Sequence, residues 1–453
     1  MKRQTTALLL AAALALSLLG ATALAAEGDQ TVSSGGQTEP AAESQDASAS
    51  AGEPAPQAEE TGETASAGEE APPEEEPVEE YIPDPIGAVS FSNVGRRMHE
   101  NNLQILALQE SINNLEEIDY DDLKEDLRYQ LNQIARAQWM MVEFGQSVSL
   151  AYEHMAQAYS TVREQFDAIK DGDMQQDNAD NIRQLKNLQN QIVMAGEATY
   201  TALAAMELQE DGLERQLAAL DRQLTELELR YQLGHISAMT LKQAQAGRTA
   251  LTSGLDTLRM NLNTYKGQLE LLIGADITGE IALGALPAVT REDLDGMDLE
   301  QDLETAKENS WELYQASETC KDARKEYTDK GGDYAYDYKQ KNLEYMRARH
   351  SWFAAKYNYN NAVQNFELNL RNLYLKVLDY KQVLDASRTA LAVEQDNYAA
   401  AQLKYSQGNL SQNALLEAED KVKEARQKTD SAENDLFSSY NTYRWAVDYG
   451  ILN

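Results

Sequence analysis

At 453 residues the chain has room for two or three domains, and only 25 Gly and 9 Pro leave long stretches free of helix breakers. A formal net charge of −36 excludes the basic surface that nucleic-acid binding needs, and simple adsorption onto anionic lipid. The single cysteine, Cys320, excludes an intrachain disulfide framework and reads as a small residue in a helix seam.

Residues 1–25 have the pattern of a secretory signal: Lys2 and Arg3, an apolar run from Ala7 to Leu19, and the small-x-small site Ala23-Leu24-Ala25. No Cys follows the apolar run, so no lipoprotein anchor is expected. No later run approaches the ~18 apolar residues of a membrane-spanning helix. Residues 26–85 are mostly Ala, Glu, Ser, Gly, Pro and Thr. Such a stretch cannot bury enough surface to offset its ordering entropy, and a disordered acidic linker is expected.

Ordered structure is expected from near Val89. Arg97 to Glu117 reads as a helix with Ile105, Leu108, Ile112 and Leu115 on its apolar side. Its Glu100-Asn101-Asn102-Leu103 recurs as Glu308-Asn309-Ser310-Trp311. Helix is predicted from about Tyr120 to Ile169 and from Asn181 to Tyr231, with a polar break from Lys170. In the second half Thr328 to Gly332 reads as a break, and helix then runs from about Lys339 to Tyr405, roughly 100 Å at 1.5 Å per residue. Only long rods packed side by side use such helices.

Each half then reaches the same motif. Tyr231-Gln232-Leu233-Gly234-His235-Ile236-Ser237, with Leu241 and Ala244, matches Tyr405-Ser406-Gln407-Gly408-Asn409-Leu410-Ser411, with Leu415 and Ala418, at a constant offset of 174. Gly ends one helix and Ser or Asn opens the next, which makes a hairpin tip. The flanks are heptad seams. Leu213, Leu220 and Leu227 lead in; Leu241, Leu255, Leu262 and Leu269 lead out, with Arg248 the one charge in the series. In the second half Leu384, Leu391 and Tyr398 lead in. Leu415, Val422, Thr429, Leu436 and Tyr443, with Ala418, Ala425, Ala432, Ser439 and Ala446, lead out. Internal duplication is the strongest signal in the chain. From opening helix to tip the first copy is longer by 34 residues (Asn101 to Gly234 against Asn309 to Gly408), an excess expected mostly between Lys170 and Asn181.

Two tandem copies of short helix, long helix, Tyr-x-x-Gly-x-(Ile/Leu)-Ser tip and long return helix, behind a signal, resemble the TolC family of outer-membrane efflux factors over about residues 90–450. The resemblance implies a homotrimeric, tapering α-helical tunnel. It also implies that Leu233, Gly234, His235, Ile236, Ser237, Gln407, Gly408, Asn409, Leu410 and Ser411 face a helical-hairpin adaptor protein, itself bound to an ABC-type or other inner-membrane pump. The family also places two barrel strands per repeat after the opening helix. Here the first stretch, Ile118 to Glu125, is charged and helical in pattern, and Tyr334, Tyr336 and Tyr338 alternate too briefly to span a bilayer.

The expected fold is therefore all-α: long antiparallel coiled-coil hairpins in two tandem repeats (86–276 and 297–453, joined by a linker at 277–296), with a TolC-like body and no membrane β-barrel. No catalytic, cofactor or metal constellation is expected: His99, His154, His235 and His350 are far apart and outside any ligand spacing. The aromatic segment from Tyr334 to Tyr359 reads as packing at the end of the helical body, with a membrane-interface belt or glycan-binding face as alternatives. The expected function is a non-enzymatic conduit or docking component of an efflux or secretion system, located in the cell envelope and recoverable without detergent. An extracytoplasmic coiled-coil scaffold without transport is the other reading.

Overall fold

The computed structural model describes residues 83–146, 149–336 and 338–452, with side-chain surroundings for all of these but 332–342. The expected signal, nearly all of the expected acidic linker and the side chains of Tyr334, Tyr336 and Tyr338 lie outside what is described. Two short strands, β1 (Ala88–Val89) and β2 (Ala282–Leu283), pair in parallel, Ala88 opposite Ala282 and Val89 opposite Leu283. All other regular structure among the described residues is helical: α1 (Phe91–Asn101), α2 (Leu103–Glu116), α3 (Tyr120–Glu143), α4 (Leu150–Asp171), α5 (Asp173–Gln232), α6 (Ala238–Leu272), α7 (Arg291–Asp295), α8 (Leu299–Asn309), α9 (Trp311–Tyr336), α10 (Tyr338–Ser406) and α11 (Gln412–Tyr449).

The duplication is visible element by element. Helices α1 and α8 are both 11 residues long, and each stops at one extended residue, Asn102 (ψ 117°) and Ser310 (ψ 118°). The expected single helix from Arg97 to Glu117 is thus two. Asn102 Oδ1 accepts from the N–H groups of Gln104 (2.9 Å) and Ile105 (3.2 Å), capping α2. Its Nδ2 donates to Leu272 O at the end of α6 (2.8 Å). In the second repeat Asn309 Nδ2 donates to the carbonyls of Val447 (3.2 Å) and Asp448 (3.0 Å) at the end of α11. Each return helix therefore ends on the break that opened its repeat.

The long hairpins close as the heptads require. Leu255, Leu258, Leu262 and Leu269 of α6 are buried, as are Ala425, Thr429, Ala432, Leu436, Tyr443 and Ala446 of α11. The buried residues form two cores, one built on Met98, Ile105, Leu203 and Leu269 of the first repeat and joined by Trp445 and Ile451 of the second, the other on Ala306, Leu313, Val377 and Tyr443. Arg248, the charge in the seam, reaches Asp221 on α5 with Nε at 2.5 Å. α5 packs on α6, α11 on α10, and α11 also on α5, so the long helices lie in the order α6, α5, α11, α10.

Three sequence expectations are corrected. Gly331 and Gly332 do not break the chain; α9 runs on to Tyr336, because packing on α10 outweighs the cost of about 1 kcal/mol per helical Gly. The region from Tyr120 to Ile169 is two helices, not one, with the turn at Phe144–Gly145. The extra residues of repeat 1 are not at Lys170–Asn181, where only Gly172 (φ +87°) separates α4 from α5. They lengthen both arms around the α3–α4 turn. Leu103–Glu143 exceeds α9 by 15 residues, and Leu150–Gln232 exceeds α10 by 14. The segment expected as a linker, 277–296, carries β2 and α7.

Buried Glu270 holds the turn between α6 and β2. Its carboxylate accepts from the N–H groups of Thr278 (2.6 Å), Gly279 (2.7 Å), Glu280 (3.2 Å) and Ile281 (3.1 Å), and from Thr278 Oγ1 (2.8 Å). Burial raises its pKa, but the bonds from Gly279, Thr278 and Ile281 outweigh that and leave it lowered. The Tyr200 hydroxyl of α5 donates to Gly284 O (2.7 Å), with Val89 O at 3.1 Å, and so fixes the strand pair to the helical body. Burial pushes its pKa up to about 12.

Candidate functional site

The two tips are built alike, bond for bond. Helix α5 ends with Gly234 at φ +74°: its N–H donates to Tyr231 O (2.9 Å), and that of His235 to Arg230 O (2.8 Å). Helix α10 ends with Gly408 at φ +75°: its N–H donates to Tyr405 O (2.9 Å), and that of Asn409 to Lys404 O (2.9 Å). This is the Schellman termination, which needs a left-handed residue and so favours Gly. Ser237 Oγ then accepts from Thr240 N and Ser411 Oγ from Ala414 N, both at 3.2 Å, capping α6 and α11. Ile236 and Leu410 occupy the position before each cap, and Leu241 and Leu415 the fourth helical position. That is the spacing of a hydrophobic staple, and all four are part-buried.

The ten tip residues thus divide by role. Gly234, Gly408, Ser237, Ser411, Ile236 and Leu410 make the turn. Leu233, His235, Gln407 and Asn409 are exposed, and they join the turn through backbone N–H groups alone, leaving their side chains out of the bonds that close it. A Cβ on Gly234 or Gly408 would meet nothing within 4 Å, so the glycines answer to backbone conformation and leave an open surface.

Both tips lie at one end. Two residues past the second tip, Asn413 Nδ2 reaches Glu226 Oε2 on α5 (3.4 Å), and Arg222 pairs with Asp420. The joint between the repeats carries polar contacts along its length, beside an edge-to-face pair of Phe91 and Phe437 (centroids 4.7 Å). Gln427 Nε2 donates to Leu208 O (2.6 Å), and Glu197 Oε2 accepts from Asn441 Nδ2 (2.8 Å) and Trp445 Nε1 (2.7 Å). Burial raises the Glu197 pKa, against the opposing effect of those two bonds. At the other end Arg183 lies over the Tyr314 ring (4.3 Å), and Tyr314 Oη donates to Asp180 (2.5 Å). This joint was not legible from the heptads, since its residues sit off the seam positions.

Among the described residues no cluster of His, Cys, Asp and Glu could hold a metal ion. His235 is exposed at its tip. Of the aromatic segment, Tyr345 and Trp352 pack on Tyr327, and Phe353 packs on Trp352. Trp352 stacks on Tyr327 (centroids 5.1 Å) and on Phe353 (5.0 Å), and the Tyr327 and Tyr345 hydroxyls bond at 2.9 Å. Tyr357 remains exposed.

No protein-family model and no curated protein matches the chain. Similar solved structures include the Campylobacter jejuni CmeC outer membrane channel, 13% identical at a TM-score of 0.49 over 65% of this chain and 69% of that one. The outer membrane protein VceC of Vibrio cholerae is 13% identical at a TM-score of 0.42, over 61% and 74% of the two chains. The outer-membrane channel OprN is 13% identical at a TM-score of 0.48, over 79% and 90%.

Proposed function

We propose that the chain is an exported, non-enzymatic conduit component of a tripartite efflux or secretion system in the cell envelope, similar to the TolC family. Its paired tips dock a helical-hairpin adaptor, and through it an ABC-type or other inner-membrane pump. The observation that carries this reading is the duplicated tip: two Schellman turns with φ of +74° and +75°, exposed at one end of a pair of joined hairpins. A single such turn closes any helical hairpin. Two, each presenting unbonded side chains beside an open glycine, make a repeated surface for a repeated partner.

The outer helices supply the assembly argument. On α10 the exposed Tyr357, Leu368, Leu375 and Val393 fall within about 20° of one another at about 100° per residue, so they form one stripe. Helix α6, at the opposite edge, exposes Met239, Met260 and Leu271. A closed ring with α10 of one copy against α6 of the next covers both edges, and a homotrimer is the ring that the resemblance implies. The repeats 86–276 and 297–453 are its two structural units per protomer.

Sedimentation equilibrium, combined with co-purification with an adaptor encoded nearby, tests the reading. A trimer that retains the adaptor is expected. A monomer throughout the micromolar range, with adaptor present or absent, would overturn the conduit and leave a coiled-coil scaffold.

A further inference from the structure

The turn joining α3 to α4 carries a cluster of large exposed apolar side chains on a very acidic protein. Trp139, Met140, Val142, Phe144 and Leu150 are 68%, 52%, 50%, 78% and 69% exposed. From Ala137 to Gln146 the only charged residue is Glu143, in a chain that is 25% charged. Clusters of large exposed apolar side chains on a soluble surface mark a place where something docks.

The cluster stands at the end of a self-contained arm. α3 and α4 pack chiefly on each other, through Leu127, Leu131 and Ile169. At the root, Asn178 Nδ2 of α5 donates to Tyr120 Oη (2.8 Å). The two helix ends at the turn are closed as those at the tips are. Gly145 has φ +69°, its N–H donates to Val142 O (3.0 Å), Gln146 N donates to Met141 O (2.8 Å), and Ser149 Oγ caps α4 through Tyr152 N (3.3 Å). Trp139 and Phe144 are thus exposed at a helix end closed by its own hydrogen bonds, and are not a strand of chain awaiting a core within this protomer.

The arrangement of these side chains selects the occupant. At about 100° per residue, Trp139, Met140, Val142 and Phe144 spread over about 200° of the helix end, interrupted only by Glu143. The α10 stripe faces one way, as a surface for another helix must. A tip that is apolar over more than half its circumference is too wide for one partner helix to cover, and is covered best by a medium that closes around it. Trp and Phe beside Met and Leu are also the residues that partition into the headgroup–acyl boundary of a bilayer. No helix among the described residues is long and apolar enough to cross a membrane.

We infer that the α3–α4 turn is a lipid-inserting knob. Trp139, Met140, Val142, Phe144 and Leu150 enter the interfacial zone of a bilayer, to a depth of about 5–10 Å, and hold that end of the protein against a membrane. The attachment is hydrophobic rather than electrostatic, because a net charge of −36 is repelled by anionic headgroups. It is peripheral, and it stands independently of the adaptor-docking reading.

The test is flotation of the purified exported protein with vesicles of pure phosphatidylcholine, beside a Trp139→Ser, Phe144→Ser, Leu150→Ser variant. The wild type is expected to float with the vesicles, and the variant to partition roughly ten-fold less or weaker still. Circular dichroism of the two should be the same, since all three side chains are exposed. Should the triple variant not fold, brominated phosphatidylcholine gives the same answer. It should quench part of the wild-type tryptophan fluorescence, and Trp139→Phe should remove the quenched fraction. A wild type that stays unbound, a variant that floats equally well, or binding that requires anionic lipid and disappears in salt would each overturn the inference. A Gly234→Leu, Gly408→Leu variant should float like the wild type, which separates this test from that of the tips.

Discussion

Met98 of α1 lies directly over Gly196 of α5, so that a Cβ on Gly196 would overlap the thioether sulfur. At the equivalent positions of the second repeat stand Ala306 and Leu370, both fully buried. The two repeats fill the same joint with the large residue on opposite partners. Met98→Ala alone should cost about 2–5 kcal/mol by leaving a cavity. Gly196→Leu alone should cost at least as much as ordinary overpacking, about 1–3 kcal/mol. The double variant copies the second repeat and should recover a large part of the summed loss. Urea titrations of the four proteins measure the coupling, and simple additivity would show that the joint is not a shared volume.

The positive-φ glycines divide in the same physical way. Gly450 (φ +64°) ends α11 where a Cβ would meet the backbone of Ser310, and Gly274 (φ +66°) ends α6 where a Cβ would meet Asn101. Ala at either meets backbone that cannot move aside, in addition to a left-handed penalty of about 1–2 kcal/mol. Gly450→Ala and Gly274→Ala should therefore lower the melting temperature clearly. Gly408→Ala, which meets only solvent, should lower it little. Equal melting of all three would mean that the contact at the helix breaks relaxes freely.

Two carboxylates, Glu270 buried and Glu197 half-buried, should respond to pH with opposite sign. Glu270 has a lowered pKa in the fold, so its contribution is present above the ordinary carboxylate range and is lost as pH falls through its folded value. Glu197 has a raised pKa, so its contribution is present below that range and is lost as pH rises through its folded value. The deficit of Glu270→Gln relative to wild type should thus be greatest near neutrality and shrink on acidification. Glu197→Gln, which can still accept from Asn441 and Trp445, should gain on wild type as pH rises from acid to neutral. Melting curves from pH 3 to 8 decide both; parallel curves would leave neither carboxylate linked to folding.

The tips and the seams were legible because each has a local cause. A left-handed Gly, a Ser cap and a seven-residue period are all written in consecutive residues. The breaks at Asn102 and Ser310 were not, since both residues tolerate helix and are forced out of it by return helices ending about 170 and 140 positions away. The α3–α4 turn was hidden for the opposite reason: Trp139 to Phe144 reads as helix interior when it is in fact exposed. Gly331 and Gly332 looked like a stop, yet α10 holds them helical, with Gly331 beside the Tyr345 ring.

The tips carry the proposed function, and their glycines allow it to be separated from folding. Gly234 and Gly408 take a conformation that costs a Cβ-bearing residue about 1–2 kcal/mol, but each is exposed and a Cβ would touch nothing. The bonds that end α5 and α10 and cap α6 and α11 come from backbone and Ser hydroxyls, which a Gly234→Leu, Gly408→Leu double substitution leaves in place. Helicity and melting should stay close to wild type. An adaptor hairpin approaching the open glycines would instead meet two new Leu side chains, beside Leu233 and His235 on one tip and Gln407 and Asn409 on the other. Association should weaken by roughly ten-fold or more, about 1.4 kcal/mol. Titration with an adaptor encoded nearby, run beside a melt of each variant, gives both quantities. Unchanged affinity in a normally folded double variant would reduce the tips to plain turns, and the docking role would fall with them.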